Sequence, residues 1–391
     1  MDVFGLSAEQ IDSAGAHWTA REVWQQPQIW LEVERLMADQ SDRLSRFLAP
    51  LLARRDLRIV LTGAGTSAFV GECLALSMIG SSARRVEAIA TTDLVASPQR
   101  WLSRSTPTLL VSFARSGNSP ESVAALELAD QCVQRCSHLI VTCNADGALY
   151  QRGRSQISAY PILLPEASND RSFAMTSSFT GMLLAAAMAF GVLPSDGTRT
   201  SALARLAPQI LPGCVPLLRA LVQNGFERVV YLGSNELKGL AREAALKMLE
   251  LTDGRVVGTA DAPLGFRHGP KTILTRSSLV VLFLCNNPYT RQYEVDLLTE
   301  LRRDAVAGRV VALSTLPLDA QHSDDVVLTA STPDAVQLSD LELCFPYAVF
   351  AQSLALLRSL SLGVRPDSPN AAGTVSRVVQ GVSIYPWHGA R

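Results

Sequence analysis

Short unbroken apolar runs punctuate the chain at Arg58-Ile59-Val60-Leu61-Thr62, Thr108-Leu109-Leu110-Val111-Ser112-Phe113 and His138-Leu139-Ile140-Val141-Thr142. Three more follow at Arg228-Val229-Val230-Tyr231-Leu232-Gly233, Ser278-Leu279-Val280-Val281-Leu282-Phe283 and Arg309-Val310-Val311-Ala312-Leu313. Runs this short, apolar at successive positions and rich in Val, Leu and Ile, predict strands buried on both faces of a parallel sheet. Helix-like stretches lie between them, so the chain alternates strand and helix in the manner of an α/β fold with crossover helices. The second set repeats the first in order, starting 170 residues later (58 to 228, 108 to 278) and then 171 later (138 to 309). This predicts two copies of one domain, at 50–200 and 215–365. A helical segment over 1–49 is expected ahead of them, its Trp18, Trp24 and Trp30 packing it onto the body and Pro27 interrupting it. The stretch Pro194–Thr198 begins the connection between the copies, and a tail is expected over 366–391.

Composition narrows the class. At 391 residues the chain has room for two substantial cores, and 48% hydrophobic against 18% charged residues suits a compact enzyme. A net charge of -1 gives no electrostatic reason to expect nucleic acid or an anionic membrane as partner. The N-terminus has no basic region ahead of an apolar core, so no secretory signal is expected. The apolar run Gly181–Leu193 is too short to cross a bilayer and reads as a buried helix. Seven scattered cysteines, an odd number, predict reduced thiols and a cytoplasmic protein. Cys132 and Cys136 are spaced as one helical turn with no second ligand pair nearby, so no metal site is expected.

The candidate chemistry divides between the copies. In the first, the run ending at Ala114 gives way to Arg115-Ser116-Gly117-Asn118-Ser119-Pro120. Ser119 suits an N-cap and Pro120 a first helical position. A helix start of this kind presents free N–H groups and a positive dipole end to an anion. The hydroxyls of Ser116 and Ser119, with a flexible Gly117, complete a phosphate cradle; without a ligand the same segment is a capped helix after a buried strand. The first copy also carries Gly63-Ala64-Gly65-Thr66-Ser67 after its first strand. The second copy has Leu284-Cys285-Asn286-Asn287-Pro288 in place of the serine loop, which assigns the cradle to the first copy.

In the second copy a helix is expected from about Asn235 to Leu251. Glu243, Lys247 and Glu250 fall at i, i+4 and i+7 on one face of it. A solvated ion-pair ladder would show the same spacing and contribute only a few tenths of a kcal/mol per pair. The Ala, Leu and Met residues around most of the circumference favour partly buried charges instead. Eighteen residues after Glu250, His268 sits in the glycine- and proline-bounded loop Phe266-Arg267-His268-Gly269-Pro270-Lys271. A carboxylate base and a loop histidine suit proton transfer beside a carbonyl.

These motifs together, Gly63–Ser67, Ser116–Ser119 and Arg267–Pro270, resemble those of tandem sugar-isomerase (SIS) domain proteins. The chain from about residue 15 to its C-terminus resembles the branch of tagatose-6-phosphate ketose/aldose isomerases and galactosamine-6-phosphate deaminases. The resemblance implies two tandem SIS domains, each a flavodoxin-like or Rossmann-like parallel sheet flanked by helices. It implies phosphate binding by Gly65, Thr66, Ser67, Arg115, Ser116, Gly117, Asn118 and Ser119, with Thr176 and Glu243 among the further substrate contacts. It also implies Glu250 as the base between C1 and C2, Lys247 beside it, and His268 as a ring-opening group supplied by a neighbouring subunit of a homodimer or larger homo-oligomer. No cofactor is implied, and the C-terminal tail is expected to close the active site. Two departures stand out: Ala114 replaces a phosphate-binding serine, and Gln380 replaces a tail lysine that contacts the sugar. The expected activity is conversion of galactosamine 6-phosphate to tagatose 6-phosphate and ammonia. The rivals are isomerisation of a neutral sugar phosphate, a non-catalytic phosphosugar-binding regulator, and a nucleotide-binding oxidoreductase suggested by the Gly63–Ala68 fingerprint.

Overall fold

The computed structural model describes residues 3–81, 84–328, 337–379 and 381–389. Its residues group into two units, each built on one parallel five-stranded sheet. The sheet-one unit comprises residues 28–170 and 177–200 together with the chain from 372 onward; the sheet-two unit comprises the chain up to Pro27, residues 171–176 and residues 201–371.

Sheet one orders its strands β2-β1-β3-β4-β5, from β1 (Arg58–Thr62), β2 (Arg85–Ala88), β3 (Thr108–Ala114), β4 (Cys136–Thr142) and β5 (Ala159–Leu163). Sheet two has the equivalent order read in reverse, β10-β9-β8-β6-β7. Its strands are β6 (Arg228–Gly233), β7 (Val257–Asp261), β8 (Ser278–Phe283), β9 (Arg309–Ser314) and β10 (Val326–Val327). All six apolar runs are therefore strands, and β1 and β6 hold the same place in their sheets, as do β3 and β8. The reason is burial. Every residue of β1, β3 and β8 is buried, and each Val, Leu or Ile so covered contributes about 1.5–3 kcal/mol of transfer free energy.

Each sheet has its own core. Val60 and Leu110 pack with Leu94, Leu128 and Cys132 in the sheet-one unit, and Trp387 of the tail lies against this cluster. Val230, Val280 and Leu282 pack with Phe266, Leu297 and Leu301 in the sheet-two unit. The N-terminal region is helical as expected, as α1 (Ala8–Ser13), α2 (His17–Trp24), α3 (Gln26–Asp39) and α4 (Ser41–Leu52), with Pro27 at the start of α3. The apolar run at 181–193 falls in α10 (Ser177–Ala189), whose residues from Ser177 to Met188 are all buried. That helix stops short of Leu193 because Gly191 takes φ +67°, a left-handed turn that ends it. Among the described residues one helix, α16 (Asp340–Ser361), is by itself long and apolar enough to cross a membrane, but nearly all its side chains are buried inside its unit. It is a core helix.

Candidate active site

In a doubly wound parallel sheet, ligands bind at the carboxyl ends of the strands where the strand order reverses. In sheet one that point lies between β1 and β3, and the two loops singled out by sequence follow these two strands. After β1, Gly63 approaches the next helix so closely that a Cβ there would lie 2.5 Å from the Ser67 backbone. This brings α5 (Thr66–Ser81) directly off the strand, with Gly65 at φ +56° making the turn and with Thr66 and Ser67 buried in its first turn. The same close approach recurs at Gly233 and Leu237, the equivalent place in sheet two.

After β3, Ser119 is the N-cap and Pro120 the first residue of α8 (Pro120–Cys132), as predicted. Gly117 takes φ +65°, a conformation that favours glycine. The loop is fastened from below: Asn144 Nδ2 donates to the Ser116 carbonyl at 2.8 Å. Asn118 Oδ1 accepts from Ala148 N at 2.9 Å and so starts α9 (Ala148–Ser155). Asn118 thus spends its carbonyl on shaping the cradle. Ser116 and Ser119 stay half-buried, with Ser119 Oγ 2.6 Å from Ser122 Oγ. Arg115 is buried, and its guanidinium donates to the Arg377 carbonyl of the tail at 3.0 Å. Two helix N-termini flank one switch point, and both carry hydroxyls, an arrangement that favours a compact anion.

Three groups near this point escaped the sequence reading. The hydroxyls of Thr62, Thr91 and Ser112 are buried without a hydrogen-bond partner. Thr62, the last residue of β1, is the register partner of Ser112 in β3, and Thr91 N donates to the Gly63 carbonyl at 2.8 Å. Thr62 and Ser112 stand out in the sequence as polar residues in apolar strands, whereas Thr91, at a helix start, carries no such signal.

Sheet two treats the matching loop differently. Cys285 N donates to Glu294 Oε2 at 2.8 Å, while Asn286 N and Asn287 N both donate to Asp340 Oδ1, at 2.6 and 3.3 Å. The chain's own carboxylates occupy the backbone N–H groups here, and burial pushes the pKa of both Glu294 and Asp340 up. This is the physical counterpart of the missing serines. An external anion would have to displace two carboxylates, the buried Glu294 and the half-buried Asp340.

The residues that the sequence suggests for acid–base chemistry lie in the sheet-two unit. The helix predicted from Asn235 to Leu251 is α13 (Glu236–Leu251). On it Lys247 is fully buried, Glu243 is buried and the Glu250 side chain is 26% exposed. Lys247 Nζ lies 3.6 Å from Glu243 Oε1 and is bonded to Glu250 Oε2. The three charges are therefore one buried cluster rather than a solvated ladder, with a formal sum of one negative charge when all are ionised. The partly open Glu250 is the member able to reach a substrate.

His268 is exposed, on a separate loop between α14 (Pro263–Phe266) and a 3₁₀ turn at Pro270–Ile273. Thr176 is buried in the short segment 171–176, where its carbonyl accepts from Gln352 Nε2 at 3.5 Å. Gln380 lies outside the described residues.

The metal expectation needs one correction of detail. Cys132 ends α8 and Cys136 opens β4, so the two cysteines do not share a helix. Among the described residues Asp130, Cys136 and His138 form the one group whose ligand atoms lie within 4.8 Å of one another. His138 Nε2 is already bonded to Asp130 Oδ1 at 2.7 Å. Burial, reinforced by Asp130, pushes the Cys136 thiol up to about 12, which keeps it protonated near neutrality. The group acts as a part-buried His–Asp hydrogen bond, with His138 buried and Asp130 open to solvent.

Comparison with known proteins agrees with this architecture. The SIS domain family matches residues 51–191. The chain is 43% identical over 385 residues to the D-galactosamine-6-phosphate deaminase AgaS of Shewanella sp. (strain ANA-3), covering 98% of this chain and 95% of that protein. It is 44% identical over 379 residues to the protein of the same name from Escherichia coli, covering 96% and 97%. Among solved structures, the tagatose-6-phosphate ketose/aldose isomerase from Escherichia coli superposes with a TM-score of 0.88 at 41% identity, covering 95% of this chain and 97% of that one.

Proposed function

The chain belongs to the SIS-domain family, and from that premise we propose that it is an amino-sugar-phosphate deaminase that converts galactosamine 6-phosphate to tagatose 6-phosphate and ammonia. The relatives' names give two activities, deaminase and ketose/aldose isomerase, and both chemistries need a proton moved between C2 and C1. The observation that favours the deaminase is the buried cluster of Glu243, Lys247 and Glu250, which carries a net negative charge. Such a cluster attracts a substrate bearing an ammonium group at C2 more strongly than a neutral sugar, because the attraction acts in a low dielectric.

In this mechanism Thr66, Ser67, Ser116 and Ser119 hold the phosphate with backbone N–H groups of the two helix starts. The remote anchor supplies binding energy that orients the reacting carbons. His268 assists opening of the pyranose. Glu250 removes the C2 proton, and the electrons of that C–H bond form the C1–C2 double bond of an enolamine as the C1 carbonyl π pair moves to its oxygen, which takes up a proton. Reprotonation at C1 gives the 2-imine of the ketose, and water adds to C2 and expels ammonia. Lys247 offsets the charge of the two carboxylates. All this takes place by proton transfer and hydrolysis, using the chain's own groups.

The test is to incubate the enzyme separately with galactosamine 6-phosphate and glucosamine 6-phosphate and to assay ammonia and ketose phosphate independently. The reading predicts equal amounts of both products from the galacto substrate. Interconversion of neutral sugar phosphates, with no ammonia from either amino sugar, would establish the isomerase instead.

The exposed position of His268 supports its action in a partner subunit's site. Glu250→Gln and His268→Asn, each inactive alone, should then complement when unfolded and refolded together. Random pairing yields half heterodimers with one intact site in two, so about a quarter of wild-type turnover should return. No recovery in a mixture shown to contain heterodimers would place both groups in one subunit.

A further inference from the structure

Both cations of the loop that carries His268 meet one carboxylate, that of Glu300. Phe266, immediately before it, is buried among Leu297, Leu298 and Leu301 of α15 (Pro288–Asp304). From the same helix Glu300 receives Arg267 on one side of the histidine, at 2.9 Å, and Lys271 on the other. Lys271 also reaches Asp304 at 2.6 Å. The two cations bracket His268, and between them Gly269 takes φ +117°, its carbonyl accepting from Thr272 Oγ1 at 2.9 Å and from Thr272 N at 3.0 Å.

We propose that Glu300 is the positioning residue for His268: its two oxygens each bind one of the cations flanking the histidine and so fix where the imidazole stands. This rests on the reading of His268 as the ring-opening group. A lone exposed ion pair contributes little, but a carboxylate shared by two cations, backed by the packed Phe266, restrains the span 266–271 at three points. The Lys271 hydrogen bond also holds the Glu300 carboxyl below the usual carboxylate range, which keeps it charged at neutral pH.

The test compares Glu300→Gln, Glu300→Asp and His268→Asn for turnover on galactosamine 6-phosphate, KM and urea midpoint. Displacing a catalytic group by about an ångström costs up to a hundredfold, so Glu300→Gln should lower kcat at least tenfold or so. KM should stay within about twofold, because Glu300 touches neither the substrate nor the phosphate anchor. Glu300→Asp, which keeps the charge, should recover much of the loss. If Glu300→Gln proves too unstable to assay, Arg267→Gln, which removes one arm, should show a smaller fall in kcat at unchanged KM. Wild-type kcat in Glu300→Gln or Arg267→Gln, with His268→Asn inactive, would overturn the positioning role and leave the role of His268 standing. Wild-type turnover in His268→Asn would overturn both.

Discussion

Replacing Glu250 by Gln should lower kcat on galactosamine 6-phosphate by about 10²–10⁴-fold, the range that a positioned general base supplies. The substitution keeps size and hydrogen-bonding capacity and removes only the ability to take a proton. Binding of inorganic phosphate, which depends on the loops after β1 and β3 in the other unit, should be unchanged within about twofold. The contrast is informative because Glu250 and Ser116–Ser119 lie on different sheets. A Glu250→Gln enzyme with near-normal turnover would remove this residue from the mechanism, and weakened phosphate binding would point to general damage. Turnover and isothermal titration with phosphate decide the two.

The second large effect is on stability. Lys247 is fully buried beside Glu243 and against Glu250. Lys247→Met should fill much of the same space yet leave one wholly buried carboxylate without its cation. Breaking a buried ion pair at one end costs about 3–5 kcal/mol, because the remaining charge stays in a low dielectric without the cation that offset it. Adding Glu243→Leu should recover a good part of that loss, since an apolar pair of similar volume avoids the buried charge. Urea unfolding at neutral pH reads both. A Lys247→Met midpoint equal to wild type would show that the cluster is solvated in solution.

What was legible in the chain was what local rules encode. Ser119 and Pro120 announced the start of α8 because capping depends on neighbours in sequence, and the buried strands announced themselves through unbroken apolar runs. The face shared by Glu243, Lys247 and Glu250 followed from helical spacing. Their burial followed from the alanines and leucines around them. Carboxylate bonds to distant backbone were not legible. Asp340 caps the loop at Asn286 and Asn287 from 54 and 53 residues away, and Glu22 accepts from Ser172 N across 150 residues. No periodicity marks such pairs. Asp170 belongs with them in kind: it lies before α10 and takes Ser178 N at 2.9 Å, but a single Asp ahead of a loop carries no distinctive signal. The spacing of Cys132 and Cys136 misled because a strand begins between them, and spacing has meaning only inside one element.

The most direct measurement of the central claim follows one atom. Galactosamine 6-phosphate carrying deuterium at C2 should be consumed with a primary kinetic isotope effect. It should yield ketose 6-phosphate and ammonia, with the label delivered to C1 or lost to solvent, because Glu250 breaks the C2–H bond before the C–N bond. A hydroxy-aldose product that retains deuterium at C2, formed with no isotope effect, would show direct displacement of the amine and contradict the account.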